Sequence, residues 1–415
     1  MKFTELNLPA EVLKGVELVG FTELTPVQEE SIPFALAGKD VAAQAQTGTG
    51  KTAAFLIALF TRLLTHPKET GRDPRALIMA PTRELVVQIV EDAKGLGAAC
   101  PIKVQAIFGG LDYDKQRQAL RDGVDVIVAT PGRLIDYAKQ NVFSFRNIEM
   151  IVIDEADRMF DMGFIKDLRY ILRKLPPAEQ RQTMLFSATL SPQVMELAYE
   201  FMNLAERVSI EPTQVTAEKV EQILYHASRR EKFPLLLGLM KKEEVADRVM
   251  IFVNTKREAE HLAERMKVND LKAAVISGDI PQNKRMRILA DFKEGKINFL
   301  VATDVASRGL HIDAVSHVIN YDLPQDAEDY VHRIGRTARA GAFGKAISFA
   351  DEDLVFHLPD IEEYIGRKIP SVFPEEDDFC RNYRRSPPQH RKAPVPEKAG
   401  AKHRRPPHRK PGGKP

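Results

Sequence analysis

The sequence predicts an α/β protein of two doubly wound, parallel-sheet domains in tandem, followed by a basic tail. Short runs of Val, Ile, Leu and Ala recur without polar alternation, as strands covered on both faces require. Amphipathic or turn-rich stretches separate them, and alternating strand and helix specifies a parallel sheet. The rhythm breaks twice, at a polar bridge near the middle and again close to the C-terminus.

In the first half the strand-like runs are 40–44 (DVAAQ), 75–81, 104–110, 124–132, 149–157 and 183–189. The second half repeats them at 248–255, 272–278, 297–304, 317–322 and 344–350, with crossover helices such as 258–267 (EAEHLAERMK). The strand-poor bridge 211–219 is the expected linker. The domains are therefore expected at 1–210 and 220–370, and a tail at 371–415 whose composition is too polar to fold. No short-period repeat is present, which excludes a solenoid.

At 415 residues and 44% hydrophobic, the chain has enough apolar content for more than one core. Its charge is unevenly spread. Residues 380–415 hold twelve Lys and Arg against a single acid, Glu397, whereas the remainder holds 48 basic and 57 acidic residues. A basic arm on an acidic body suits a polyanionic partner. Two cysteines, Cys100 and Cys380, make neither a disulfide framework nor a metal cluster and fit a reducing compartment. The N-terminus carries Glu5 and Glu11 where a signal peptide needs an apolar core, and the longest apolar run, 53–60, is far below the ~20 residues that cross a bilayer. The expected setting is the cytoplasm.

The sharpest motif is Ala45-Gln46-Thr47-Gly48-Thr49-Gly50-Lys51-Thr52, between a strand and an apolar helix. Glycines there let backbone N–H groups curl around phosphate oxygens at a helix N-terminus. Lys51 then reaches the β- and γ-phosphates, and the Thr52 hydroxyl ligates Mg²⁺. Ala45 stands where the simplest P-loop pattern has Gly. Downstream, Asp154 and Glu155 end an apolar strand. That is the place for a Mg²⁺-binding Asp followed by a water-orienting Glu, because a magnesium nucleotide needs a second, acidic anchor. Taken alone, the pair also reads as an acidic helix cap.

Asp154-Glu155-Ala156-Asp157 resembles the signature of the DEAD-box RNA helicases, a family with two RecA-like domains, and the resemblance covers roughly residues 3–350 in the right order. Phe3, Gly20-Phe21 and Thr25-Pro26-Val27-Gln28 are similar to the family's Q motif, which implies Phe21 packed on adenine and Gln28 reading its edge. Pro81-Thr82-Arg83-Glu84-Leu85, Gly109-Gly110 and Thr130-Pro131-Gly132-Arg133 resemble its RNA-backbone motifs, as do Gln282, Arg285 and Ala302-Thr303-Asp304 in the second half. Ser187-Ala188-Thr189 resembles the segment that couples hydrolysis to unwinding, with Asp157 and His332 implied in the same coupling. His332 through Arg339 looks like the arginine-finger motif, which implies transition-state roles for Arg336 and Arg339. Arg333, Arg336 and Arg339 recur at i, i+3 and i+6, so a continuous helix sets them near one stripe. Such a stripe alone is usually a solvated basic face.

Several positions depart from the family pattern: Leu24, Ser307, Ala338 and above all His311, where an Asp commonly contacts ribose. Segments 133–141 and 157–167, His311 and Tyr364-Ile365-Gly366 together resemble one bacterial branch, the RhlB-type helicases. The resemblance implies ATP and Mg²⁺ as ligands, RNA as partner, and a place in an RNA-degrading assembly built on ribonuclease E. An ATP-gated RNA clamp with little unwinding is the alternative.

Overall fold

The computed structural model describes residues 1–45, 48–67, 71–210, 220–242, 248–278, 280–307, 315–337 and 344–385, apart from the side chains of 282, 283 and 305. The expected linker at 211–219, the distal tail, Gln46, Thr47, His311 and Arg339 lie outside the described residues.

Fourteen strands form two parallel sheets among the described residues. The first contains β1 (Val41–Gln44), β2 (Ala76–Met79), β3 (Val104–Ile107), β4 (Val126–Ala129), β5 (Met150–Ile153), β6 (Gln182–Ser187) and β7 (Glu206–Ser209), in the order β3-β4-β2-β5-β6-β1-β7. The second contains β8 (Val220–His226), β9 (Val249–Phe252), β10 (Ala273–Ile276), β11 (Phe299–Ala302), β12 (His317–Asn320), β13 (Gly344–Ala350) and β14 (Ser371–Val372), in the order β10-β11-β9-β12-β13-β8-β14. Adding seven to each number of the first order gives the second, so the two halves share one topology. In the first, β2, β4, β5 and β6 are buried along their whole length, and separate apolar clusters cover the two faces of the sheet. This is the RecA-like doubly wound architecture expected from the apolar runs.

The structure adds three strands, β7, β8 and β14. β7 and β14 are sheet edges, and β7 and β8 mix polar with apolar residues, so none shows a continuous apolar run.

The tail boundary at 371 is corrected. β14 pairs with β8, and 375–385 folds back onto the helix Lys232–Lys242. Cys380 N donates to Pro234 O (3.0 Å), Tyr383 packs edge-on against Phe233 (5.4 Å), and Arg384 N donates to Asn269 Oδ1 (2.8 Å). Gly238 permits this approach, since a Cβ there would sit 1.8 Å from Asp378 O. Polar composition hid the segment, because a few aromatic and backbone contacts dock it. No described helix is long and apolar enough to cross a membrane.

Candidate active site

The P-loop leaves β1 and enters the helix Lys51–Thr65 through Gly48 (φ 89°) and Gly50 (φ 92°). Both lie in the left-handed region that favours glycine. Gly50 has a second constraint, since a Cβ there would meet Gln28 Nε2 at 2.6 Å. Gln28 explains this crowding. Its Oε1 accepts from Thr25 N (2.9 Å) at the start of the helix Pro26–Leu36, and its Nε2 donates to Gly50 O (3.0 Å). The Gln28 amide therefore ties the helix cap to the P-loop, a role its motif does not announce. One N–H and one lone pair remain, enough for a paired contact to a ligand edge. Phe21 stands at the rim, 42% exposed, stacked on Phe3 at 6.2 Å. A cavity of about 520 Å³ is bounded by Phe21, Thr25, Gln28, Gly50, Lys51 and Thr52, with Glu155 at its inner end.

Lys51 Nζ lies 3.0 Å from Asp154 Oδ1, and both side chains are buried. Asp154 Oδ1 also accepts from Glu155 N (2.9 Å), while the buried Oδ2 has no hydrogen-bond partner among the described residues. Burial pushes the Asp154 carboxyl above its ordinary range despite the Lys51 ammonium. Glu155 turns the chain from β5 into the helix Ala156–Asp161 at φ 52°, ψ 54°, a strained conformation for a glutamate. Its carboxylate is ion-paired to Arg158 Nη1. Burial raises its pKa, but the Arg158 and Lys51 charges outweigh that and hold it at about 2.

Asp157 Oδ2 accepts from Ala188 N (3.0 Å) and Thr189 N (3.1 Å), and its own N donates to Ser187 Oγ (3.0 Å). The Ser-Ala-Thr segment thus joins the acidic strand end through the Ser187 hydroxyl and two backbone N–H groups; Thr189 contributes its backbone.

A second cavity, about 620 Å³, opens between the two sheets. Lys51, Glu155 and Thr189 line it from the first half, and Asp329, His332 and Arg336 from the second. The arginine stripe is corrected. The helix Ala327–Ile334 ends before Arg336, so the i, i+3, i+6 register does not continue. Arg333 turns inward instead. It is 1% exposed, grips Asp304 with Nε and Nη2 (both 2.6 Å), and donates to Asp322 O (2.6 Å) and Asn254 Oδ1 (2.9 Å). Arg336, past the helix end, faces the cavity and Glu155.

Arg83 and Arg133 converge on Gly109: a Cβ there would lie 3.3 Å from Arg83 Nη2 and 3.8 Å from Arg133 Nη2. Gly110 follows at φ 91°. Thr82 caps the helix Arg83–Leu96 behind the buried Pro81, and Thr130 precedes the helix Pro131–Lys139, which carries Gly132 and Arg133 in its first turn. The Arg133 guanidinium lies over Tyr113 at 4.9 Å. From the second half, Arg285 ion-pairs with Glu84 at 2.8 Å, and Thr303 O accepts from Ala306 and Ser307 N. Gln282 opens the helix Gln282–Lys293. Glu84 and Asp304 lie inside motifs read from the sequence, whereas Arg158 was not singled out as functional; its one signal is its place directly after Asp157.

One P-loop facing an acidic strand end, with a second RecA-like half across the cleft, defines a two-domain P-loop protein. The DEAD/DEAH box helicase model matches residues 25–197, and the helicase conserved C-terminal domain model matches 231–341. The chain is 50% identical over 393 residues to ATP-dependent RNA helicase RhlB of Idiomarina loihiensis, covering 94% of this chain and 92% of that one. It is 53% identical to RhlB of Erwinia tasmaniensis, over 89% of this chain and 86% of the relative. The identity is 55% to RhlB of Xanthomonas axonopodis pv. citri; 89% of this chain is covered, but it spans only 65% of that relative's length. Among solved structures it resembles S. cerevisiae Dbp5 bound to RNA and ADP BeF3 (TM-score 0.78, 32% identity, 89% of this chain and 95% of that one). It also resembles Mss116p bound to single-stranded RNA and AMP-PNP (TM-score 0.79, 31% identity, 91% and 80%). The chain belongs to the DEAD-box helicase family, in its RhlB branch.

Proposed function

We propose that the protein is an ATP-dependent RNA helicase that grips RNA backbone and locally separates duplexes, with ATP hydrolysis timed by closure of its two halves. The observation that carries this reading is the cavity between the sheets, lined by Lys51 and Glu155 from one half and Arg336 from the other. An arginine facing a P-loop across a closable cleft stabilises the charge of a transferring phosphoryl group.

On this reading Phe21, Thr25 and Gln28 hold adenine, and the loop from Ala45 through Gln46, Thr47, Gly48, Thr49 and Gly50 wraps the phosphates. The lone Asp154 Oδ2, with the Thr52 hydroxyl, suits Mg²⁺, which binds through one or two carboxylates plus substrate phosphates. Among the described residues no larger acidic cluster provides a metal cage. Held there, Mg²⁺ would supply charge neutralisation for the phosphates. Lys51 leaves Asp154 for phosphate, Glu155 leaves Arg158 to orient water and take its proton, and Arg336, with Arg339, completes the charge stabilisation. Asp157, Ser187, Thr189 and His332 transmit closure to the RNA face. There Pro81, Thr82, Arg83, Gly109, Gly110, Thr130, Pro131, Gly132, Arg133, Gln282, Arg285 and Thr303 hold backbone without reading bases.

The domains run 1–210 and 220–385, joined by 211–219 and followed by a basic arm from 386. The protein works in the cytoplasm, and its likeness to the RhlB branch supports a place beside ribonuclease E in RNA degradation. Strand separation of a labelled RNA duplex with ATP, and none with AMP-PNP, tests the activity. Duplex melting that ignores the nucleotide would contradict it.

A further inference from the structure

Three guanidinium groups, those of Arg83, Arg158 and Arg285, share two carboxylates, Glu84 and Glu155. Arg158 ion-pairs with Glu155, and both side chains are buried. Arg285, from the second half, ion-pairs at 2.8 Å with Glu84 in the first turn of the helix Arg83–Leu96. The two pairs are electrostatic neighbours. Burial holds the Arg285 pKa below its ordinary value, and the Arg158 and Arg83 charges add to this against the pull of Glu84.

Arg158 is poised to change partners. It is 7% exposed and lines the cavity between the halves, yet its Nε and Nη2 have no hydrogen-bond partner among the described residues. A buried donor without an acceptor carries a free-energy cost that a new acceptor would recover. Its backbone is fixed, since Arg158 N donates to Asp157 Oδ1 (2.9 Å), and the other oxygen of that carboxylate holds Ala188 and Thr189. Only the side chain is left to move. Nor can Glu155 simply let go, because a buried guanidinium stripped of its partner is strongly destabilising. Releasing Glu155 therefore requires a second carboxylate. Glu84 is that acid once Arg285 turns to a phosphate, which arginine can grip with two parallel hydrogen bonds.

We propose that Arg158 is a positioning residue that couples RNA to hydrolysis by exchanging carboxylates: it holds Glu155 away from water in the RNA-free protein and passes to Glu84 when an RNA phosphate draws Arg285 off. The inference rests on the readings of Glu155 as the water-orienting group and of Arg285 as an RNA contact.

The test is steady-state ATP turnover of the full chain, without RNA and in saturating RNA, through a double-mutant cycle of Glu84→Gln and Arg158→Met. Arg158→Met should raise kcat without RNA about fivefold or more at little change in KM for ATP, since nothing then holds Glu155. Glu84→Gln should lower kcat in saturating RNA by a similar factor without weakening RNA binding, because an amide offers Arg158 no charge. In the Arg158→Met background that loss should vanish. An RNA-free kcat that falls or stays level in Arg158→Met, or a Glu84→Gln loss that persists without Arg158, would overturn the proposal. Should the Met variant not fold, Glu84→Gln decides alone, and full RNA-stimulated turnover in it is the contrary result. Arg285→Ala and Glu155→Gln run alongside. If the first binds RNA like the parent, or the second turns over, the underlying reading has failed, separately from the outcome of the cycle.

Discussion

Gln28 offers the sharpest perturbation, because its amide is committed in two directions at once. Gln28→Ala removes the acceptor for Thr25 N (2.9 Å) and the donor to Gly50 O (3.0 Å). Each bond is worth about 0.5–1.5 kcal/mol net, so the first domain should lose about 1–3 kcal/mol. For a domain of this size that lowers Tm by about 2–12 °C. Lost preorganisation of the P-loop adds to any lost contact with the base. A further 1–3 kcal/mol corresponds to ATP binding weakened about 5- to 150-fold. Gln28→Glu separates the two links. It keeps the acceptor for Thr25 N but sets a carboxylate oxygen against the Gly50 carbonyl, so the cap survives while the P-loop is pushed away. Scanning calorimetry and equilibrium titration with a fluorescent ATP analogue read the two effects. The Glu variant should melt closer to the parent than the Ala variant yet bind ATP at least as poorly. A Glu variant that binds ATP like the parent would refute the Gln28–Gly50 link.

Asp157→Ala strands the N–H groups of Ala188 and Thr189, a cost of about 1–3 kcal/mol, and should reduce strand separation more than ATP turnover; equal losses in parallel assays would favour a plain structural role. Arg336→Ala should lower kcat far more than ATP affinity, since its charge acts when the halves close, and full RNA-stimulated turnover would move that role to Arg339 or elsewhere. Glu155 is held at about 2 against an ordinary 4.5, so its pairing stabilises the fold fully above pH 4.5 and is lost as pH falls towards 2. Denaturation midpoints across that window should drop, and Arg158→Met should flatten the drop. Deleting 386–415 removes nine Lys and Arg, leaves the docked segment intact and should spare turnover in saturating RNA. If about half of those charges engage RNA, the salt slope becomes shallower by about 3; an unchanged slope would assign the arm to a protein partner.

Much of the fold was legible because buried parallel strands favour apolar residues, and eleven of the strands fall on the apolar-rich runs of the sequence. Polar edge strands such as β7 and β14 leave no such trace. At the site, glycine spacing announced the P-loop, and a strand-end Asp-Glu announced its acidic counterpart. Which partner each charged side chain meets was not legible, because sequence spacing fixes the element but not the direction of a long side chain. Arg333, Arg336 and Arg339 share a period, yet the helix stops at Ile334 and Arg333 turns into the core onto Asp304. Arg285 carries an RNA-like motif and meets Glu84 of the other half. The strained turn at Glu155 is equally silent in sequence, since nothing but tertiary packing holds a glutamate at φ 52°.

On the proposed reading, RNA completes a site for ATP hydrolysis shared by the two halves. The most direct measurement is steady-state ATP turnover with no nucleic acid, with RNA and with DNA of the same sequence, for the parent and for Glu155→Gln. Low turnover alone and with DNA, strong stimulation by RNA, and a Gln variant that binds ATP and RNA but does not turn over are expected. Turnover indifferent to RNA, or a Gln variant as active as the parent, would contradict it.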